Sequence, residues 1–193
     1  GGGLARATLD AAQAVIAQGG SAVVASPGGG MVADLLRARA THLELPAVQA
    51  PLWTRLTLPR KLATSLAPSS IDIVQARSPQ TAWVARALAA RLGVRWIATL
   101  HRPLDAAGLL PRYVEGRQAQ ADALIAVSEY VAQSARQRLP DAAQRIVVIP
   151  PGINRDRFDP AIVRADRVIK LARELRVPDG APVVLCPGRF DQD

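Results

Sequence analysis

Three kinds of residue in this sequence stand where side chains do chemistry. His101 closes the apolar run of "ATLHRP", and the chain has only one other histidine, His42. Ser128 follows "ALIAV", and Arg77-Ser78-Pro79 follows "IDIVQA". A third kind is the glycine cluster Gly1-Gly2-Gly3, which precedes the helical pattern "LARATLDAAQAVIAQ". Free backbone amides and the dipole at a helix start favour an anion, and absent β-carbons let a phosphate approach. By itself each signal is weak. Glycines also serve as plain turns, and a lone histidine is most simply one satisfied by backbone.

Several chemistries are disfavoured by the residue inventory. Two histidines and a single Cys186, with no cysteine or carboxylate cluster beside them, do not make a metal site, and no metal or other cofactor is expected. The sequence has no G-x-S-x-G nucleophile elbow. "SPGGG" at 26–30 is not G-x-G-x-x-G, and the acidic residue expected about twenty residues beyond such a fingerprint is hard to place, which argues against a nicotinamide cofactor.

The elements that must position these residues alternate along the whole chain. "LARATLDAAQAVIAQGG" puts Leu9, Ala12 and Ile16 on one helical face and stops at Gly19-Gly20. "AVVAS" reads as a short strand and "MVADLLRARA" as a helix, while "HLELP" suits a small strand. "IDIVQA", "RWIATLH", "ALIAVS" and "RIVVIP" read as strands, and "TAWVARALAARLG" reads as a helix ended by Gly93. Ser128 is placed to cap the helix "EYVAQSARQRL". Pro150-Pro151 removes two backbone donors and ends the ladder of "IVVI". Short apolar strands alternating with helices predict parallel crossovers, so the fold class is α/β with a doubly wound, Rossmann-like parallel sheet. Ligands of such sheets sit at the carboxyl ends of strands, where His101, Ser128 and the 77–79 loop fall.

Further along, "AIVRADRVIKLARELRV" reads as a helix with Val168, Leu171 and Leu175 on one face and an i,i+4 pair between Asp166 and Lys170. "APVVLCPGRF" at 181–190 reads as one more buried strand. "APLWTRLTLPRKLATSLAP" mixes leucines with Arg55, Arg60 and Lys61. It suits either an interfacial segment at an anionic membrane or a loop packing its leucines inward, with Pro59 expected to interrupt any single helix.

Net charge is +8 and the pI 11.1, compatible with nucleic acid, an anionic membrane surface, phosphorylated small molecules, or simple arginine usage in a GC-rich genome. The arginines are scattered and lack interleaved aromatics, which ranks nucleic acid last. With 49% apolar residues the chain is globular rather than disordered. No apolar stretch is long enough to span a bilayer, no signal peptide is visible, and the single cysteine weakly suggests a reducing compartment. A start without Met, directly on a helix, suggests that the sequence begins inside a longer gene product, with a strand ahead of Gly1.

In order along the chain, these segments resemble the amino-terminal half of glycosyltransferase family 4, the retaining nucleotide-sugar enzymes of GT-B architecture. "GGxxRxTLDxA" at 2–12 resembles that family's opening glycine pair, arginine and first helix. "DIVQARS" at 72–78 resembles D-I-V-H-x-R, with Gln75 in the histidine's place. "ATLHR" resembles T-x-H-G, with Arg102 for glycine. "ADALIAVSEYVAQ" and "IVVIPPGINRDRF" resemble its A-D-x-I-I-A-V-S and V-I-x-N-G-V-D-x-x-x-F segments, and "VVLCPGRFDQD" resembles the start of its second domain.

The resemblance implies an amino-terminal acceptor-side domain over 1–155, a linker and helix over 156–180 with Phe158 burying its ring as an anchor, and the start of a donor-binding domain over 181–193. It implies that Gly2 and Gly3 approach the donor diphosphate, that His101 lines the sugar site, and that Arg189 offsets the leaving group's charge without a metal. Arg6, Arg77, Ser78, Arg102 and Ser128 are the residues expected to contact the acceptor or line the site. The implied partners are a nucleotide-sugar donor, a glycan or glycolipid acceptor of the lipopolysaccharide or envelope polysaccharide type, and an anionic membrane surface, at a cytoplasmic or peripheral inner-membrane location. The implied activity is hexosyl transfer by a longer parent protein, this length being inactive alone. A non-catalytic binding module that keeps the fold without a donor domain is the alternative.

Overall fold

The computed structural model describes residues 2–45, 52–66, 70–104, 115–155 and 158–186, without the side chains of 52–56. Helix α1 (Gly3–Ala17) leads into strand β1 (Val23–Ser26), helix α2 (Val32–Arg37) and strand β2 (Thr41–Glu44). Helix α3 (Leu52–Leu66) then precedes β3 (Ile73–Ala76), α4 (Ala82–Leu92), β4 (Arg95–Leu100), β5 (Ala123–Ala126), α5 (Glu129–Arg138) and β6 (Ile146–Val148). Every strand pairing among the described residues is parallel. β1 pairs with β2, and β3-β4-β5-β6 form a four-stranded sheet in sequence order. The protein is thus α/β, with parallel sheets flanked by helices.

The largest core lies on the four-stranded sheet. β4 and β5 supply Trp96, Ala98, Leu100, Leu124 and Ala126, and α4 lays Ala82, Ala85 and Ala89 on them. Positions three and four apart share one helical face, and small alanines let the helix axis approach the sheet. α5 adds Val131, Ala132 and Ala135. Leu124 is wholly buried, which stabilises the fold by about 2 kcal/mol. α4 stops at Gly93, whose φ of 71° is the left-handed conformation that glycine adopts without steric cost. α5 starts where Ser128 accepts a hydrogen bond from the Val131 amide, as its sequence suggested. At the far edge, Ile149 N donates to Ala126 O, and the two prolines that follow end the ladder.

A second cluster packs Leu9 and Ala12 of α1 with Leu35 and Ala40, against Val24 of β1. A third gathers Leu62 and Leu66 of α3 with Leu88 of α4, Val23 of β1 and Val74 of β3. α3 corrects one expectation, because it runs straight through Pro59. An interior proline costs a helix about 3 kcal/mol. Here the proline ring is fully buried, between leucines that anchor the helix to both sheets, and that packing offsets the lost backbone bond. Leu62 and Leu66 face inward, while Arg60 and Lys61 are exposed.

The chain divides into two compact units, Gly1–Gly152 and Ile153–Asp193. The second contains helix α6 (Ala165–Glu174). Three expectations change there. Of the strand expected at 181–190, residues 187–190 lie outside the described residues, and 181–186 are not a strand: Val184 is 96% exposed, and a strand requires a hydrogen-bonded neighbour, which apolar patterning cannot supply. Phe158 does not bury its ring, which is 60% exposed. Asp166 pairs with Arg164 at 3.0 Å, and Lys170 with Glu174 at 3.9 Å. The longer arginine side chain captures Asp166 at the helix start in place of Lys170. Cys186 is exposed. No described helix is long and apolar enough to cross a membrane.

Candidate functional site

Parallel strands in register deliver their following residues to one edge. Ala76 of β3 lies opposite Ala98 of β4, and Leu100 of β4 opposite Ala126 of β5. In that register Arg77 and Ser78 fall level with Thr99 and Leu100, on the edge where His101 follows β4, and Ser128 falls level with Arg102. The strands themselves are cross-linked here: Gln75 Nε2 donates to Thr99 Oγ1 at 2.8 Å, and Thr99 is buried. At the opposite end, Asp122 Oδ2 accepts from the Trp96 amide at 2.8 Å, which fixes β4 against β5.

His101 starts a short segment that is held at its far end. Leu104 is buried, and its amide donates to Ser134 Oγ of α5 at 2.9 Å. His101 is exposed, and its imidazole is only partly desolvated, near the Arg77 guanidinium. Burial first, and then the positive charge of Arg77, push its pKa below the ordinary 6.5. At neutral pH it is therefore an uncharged ring, able to donate from one nitrogen and accept at the other.

Arg77 is half-buried, and burial pushes its pKa down as well. Its Nε is sealed from solvent without an acceptor. Ser78 precedes the turn into α4 and shares a 3.2 Å hydroxyl contact with Thr81, whose hydroxyl donates to Ser78 O. Ser128 Oγ is engaged as the α5 cap, so its lone pairs serve the helix first. Arg102 is exposed.

The start of α1 belongs to a different packing cluster. Gly2 is its N-cap residue, and a β-carbon at Gly2 or Gly3 would meet nothing within 4 Å, so packing does not demand glycine at either position. Arg6 forms a two-pronged ion pair with Asp10 at 2.8 and 3.2 Å, which already neutralises it. Arg189 lies outside the described residues. Among the described residues no group of three or more His, Cys, Asp or Glu could hold a metal ion. Ser134 and Asp122 are the positioning residues that sequence reasoning passed over. Asp122 lay inside a recognised segment, whereas Ser134 acts on a backbone amide thirty positions away and leaves no local trace.

Comparison with known proteins fits this arrangement. The model of glycosyltransferase family 4 matches residues 1–157. This chain belongs to glycosyltransferase family 4. No curated protein matches it. Among solved structures, it resembles a glycosyltransferase from Rickettsia africae ESF-5 with 25% identity and a TM-score of 0.84, over 99% of this chain and 50% of that one. It also shares its fold with Anabaena HepE, crystallised with UDP-glucose, at 17% identity and a TM-score of 0.71, over 91% and 47% of the two chains. The family 4 chain thus spans about half the length of these solved neighbours. Its sheet-edge residues His101, Arg77 and Ser78 belong to the matched region.

Proposed function

We propose that this family 4 chain is the acceptor-side half of a retaining hexosyltransferase, which moves a sugar from a nucleotide-sugar donor to a lipid- or polysaccharide-linked acceptor. The observation that carries the reading is the neutral His101 beside Arg77 at the carboxyl edge of a parallel sheet, in a fold shared with a protein crystallised with UDP-glucose. An uncharged imidazole suits a sugar hydroxyl, giving and receiving a hydrogen bond without burying charge. Gly2 and Gly3 would present bare backbone to the donor diphosphate at the start of α1. In transfer, the anomeric C–O bond to the diphosphate breaks as a bond to the acceptor oxygen forms, the acceptor hydroxyl's proton passes to a diphosphate oxygen, and negative charge grows on the leaving diphosphate. Arg189 would stabilise that charge electrostatically, with no metal required. We place the enzyme in the cytoplasm, against the inner face of an anionic membrane, in polysaccharide or lipopolysaccharide assembly.

The test is donor hydrolysis and transfer across a panel of nucleotide sugars, with this chain and with a longer protein carrying the remaining half of a family 4 enzyme. Turnover is expected only in the longer protein, unchanged by EDTA, and Arg189→Ala is expected to lower it roughly 10²–10³-fold. Turnover in neither would leave a non-catalytic binding module as the better reading.

A further inference from the structure

Arg77 is a permanent cation in a place that does not suit one. It follows β3 directly, so the parallel sheet and not a mobile tether fixes its backbone. Its Nε is cut off from water and has no acceptor, while its other two nitrogens are not sealed in this way. Burial displaces its ionisation, and among the described residues no carboxylate acts against it. The other partly buried arginines with identified partners contrast with this. Arg6 pairs with Asp10, and Arg138 pairs with Glu115 at 3.2 Å. A half-desolvated guanidinium without a counter-charge costs free energy unless an anion arrives from outside. Its fork matches two oxygens of a phosphate or carboxylate.

We propose that Arg77 is an oxyanion-binding residue, whose guanidinium takes a phosphate or carboxylate of a substrate beside His101. The identity of that substrate rests on the transferase reading above; the anion site itself does not. The neighbouring histidine makes the site observable. Positive charge from Arg77 bears on His101, so an anion seated on Arg77 cancels that charge and raises the His101 titration midpoint. His42, hydrogen-bonded to Ser26 between β1 and β2, is an internal control in a separate sheet.

The experiment is an NMR titration of both imidazoles against pH in this chain, free and with saturating inorganic phosphate, UDP, glucose 6-phosphate or glucose. The expected result is an upward shift for His101 with a phosphorylated probe, none with glucose, and none for His42. A shift with UDP alone assigns the anion to a donor diphosphate; a shift with glucose 6-phosphate alone assigns it to an anionic acceptor. Arg77→Gln should start with a higher His101 midpoint and respond to no probe, and Arg77→Lys should keep a weakened response. In the longer protein, Arg77→Gln should raise KM for the anionic substrate roughly 10- to 100-fold with kcat largely kept. A silent His101 with every phosphorylated probe, or a response that persists in Arg77→Gln, overturns the site. If the longer protein turns over while His101 stays silent, the transferase reading survives and the oxyanion site does not.

Discussion

His101 and Arg77 show how two unremarkable residue types acquire properties from their position. The folded-state pKa of His101 lies below its unfolded value, so between the two the unfolded chain holds the extra proton. Stability therefore rises with pH across that window, whose upper end is the ordinary imidazole value of 6.5, and is fully recovered above it. Urea unfolding at a series of pH values should show this slope, and His101→Gln should flatten it. A slope unchanged by that substitution would mean another group titrates. Ser128 gives a second residue-scale expectation. Its hydroxyl accepts from the Val131 amide, so Ser128→Ala should cost about 1 kcal/mol and Ser128→Asp should recover most of it.

At the scale of elements, the helices whose faces were legible are those whose pattern and punctuation agree. α4 carries alanines and leucine at helical spacing and stops at a left-handed glycine. Gly93→Ala should cost roughly 1–2 kcal/mol through its φ of 71° alone, because its β-carbon would meet no neighbour within 4 Å. A loss well above that in thermal unfolding would point to packing instead. α3 is the opposite case. Local chemistry breaks the helix at Pro59, yet the buried ring and the leucines around it keep the helix intact. Propensity is a one-residue quantity of a few kcal/mol, and the two buried leucines of α3, Leu62 and Leu66, clustered with Val23 of β1 and Val74 of β3, exceed it. The 181–186 run erred the other way, since four apolar residues satisfy the pattern of a strand while the ladder depends on a partner elsewhere.

For the whole molecule, the division after Gly152 predicts independent folding of the first unit. A chain ending at Gly152 should unfold cooperatively, with Tm within about 3 °C of the longer form, equivalent to under about 1 kcal/mol. A broad, early transition would show that residues beyond 152 are needed for the core. The alternation of strands and helices, their parallel order and the sheet edge that carries His101, Ser78 and Ser128 were determined by the sequence alone. Periodicity and turn chemistry are local, and parallel crossovers follow from them. Only the tertiary structure decided that Arg77 lies half-buried beside His101 with no counter-charge among the described residues, that Ser134 ties down the segment after it, and that Pro59 sits inside a helix. Each depends on what distant residues do to desolvate, pair or pack a side chain, and no local pattern encodes that.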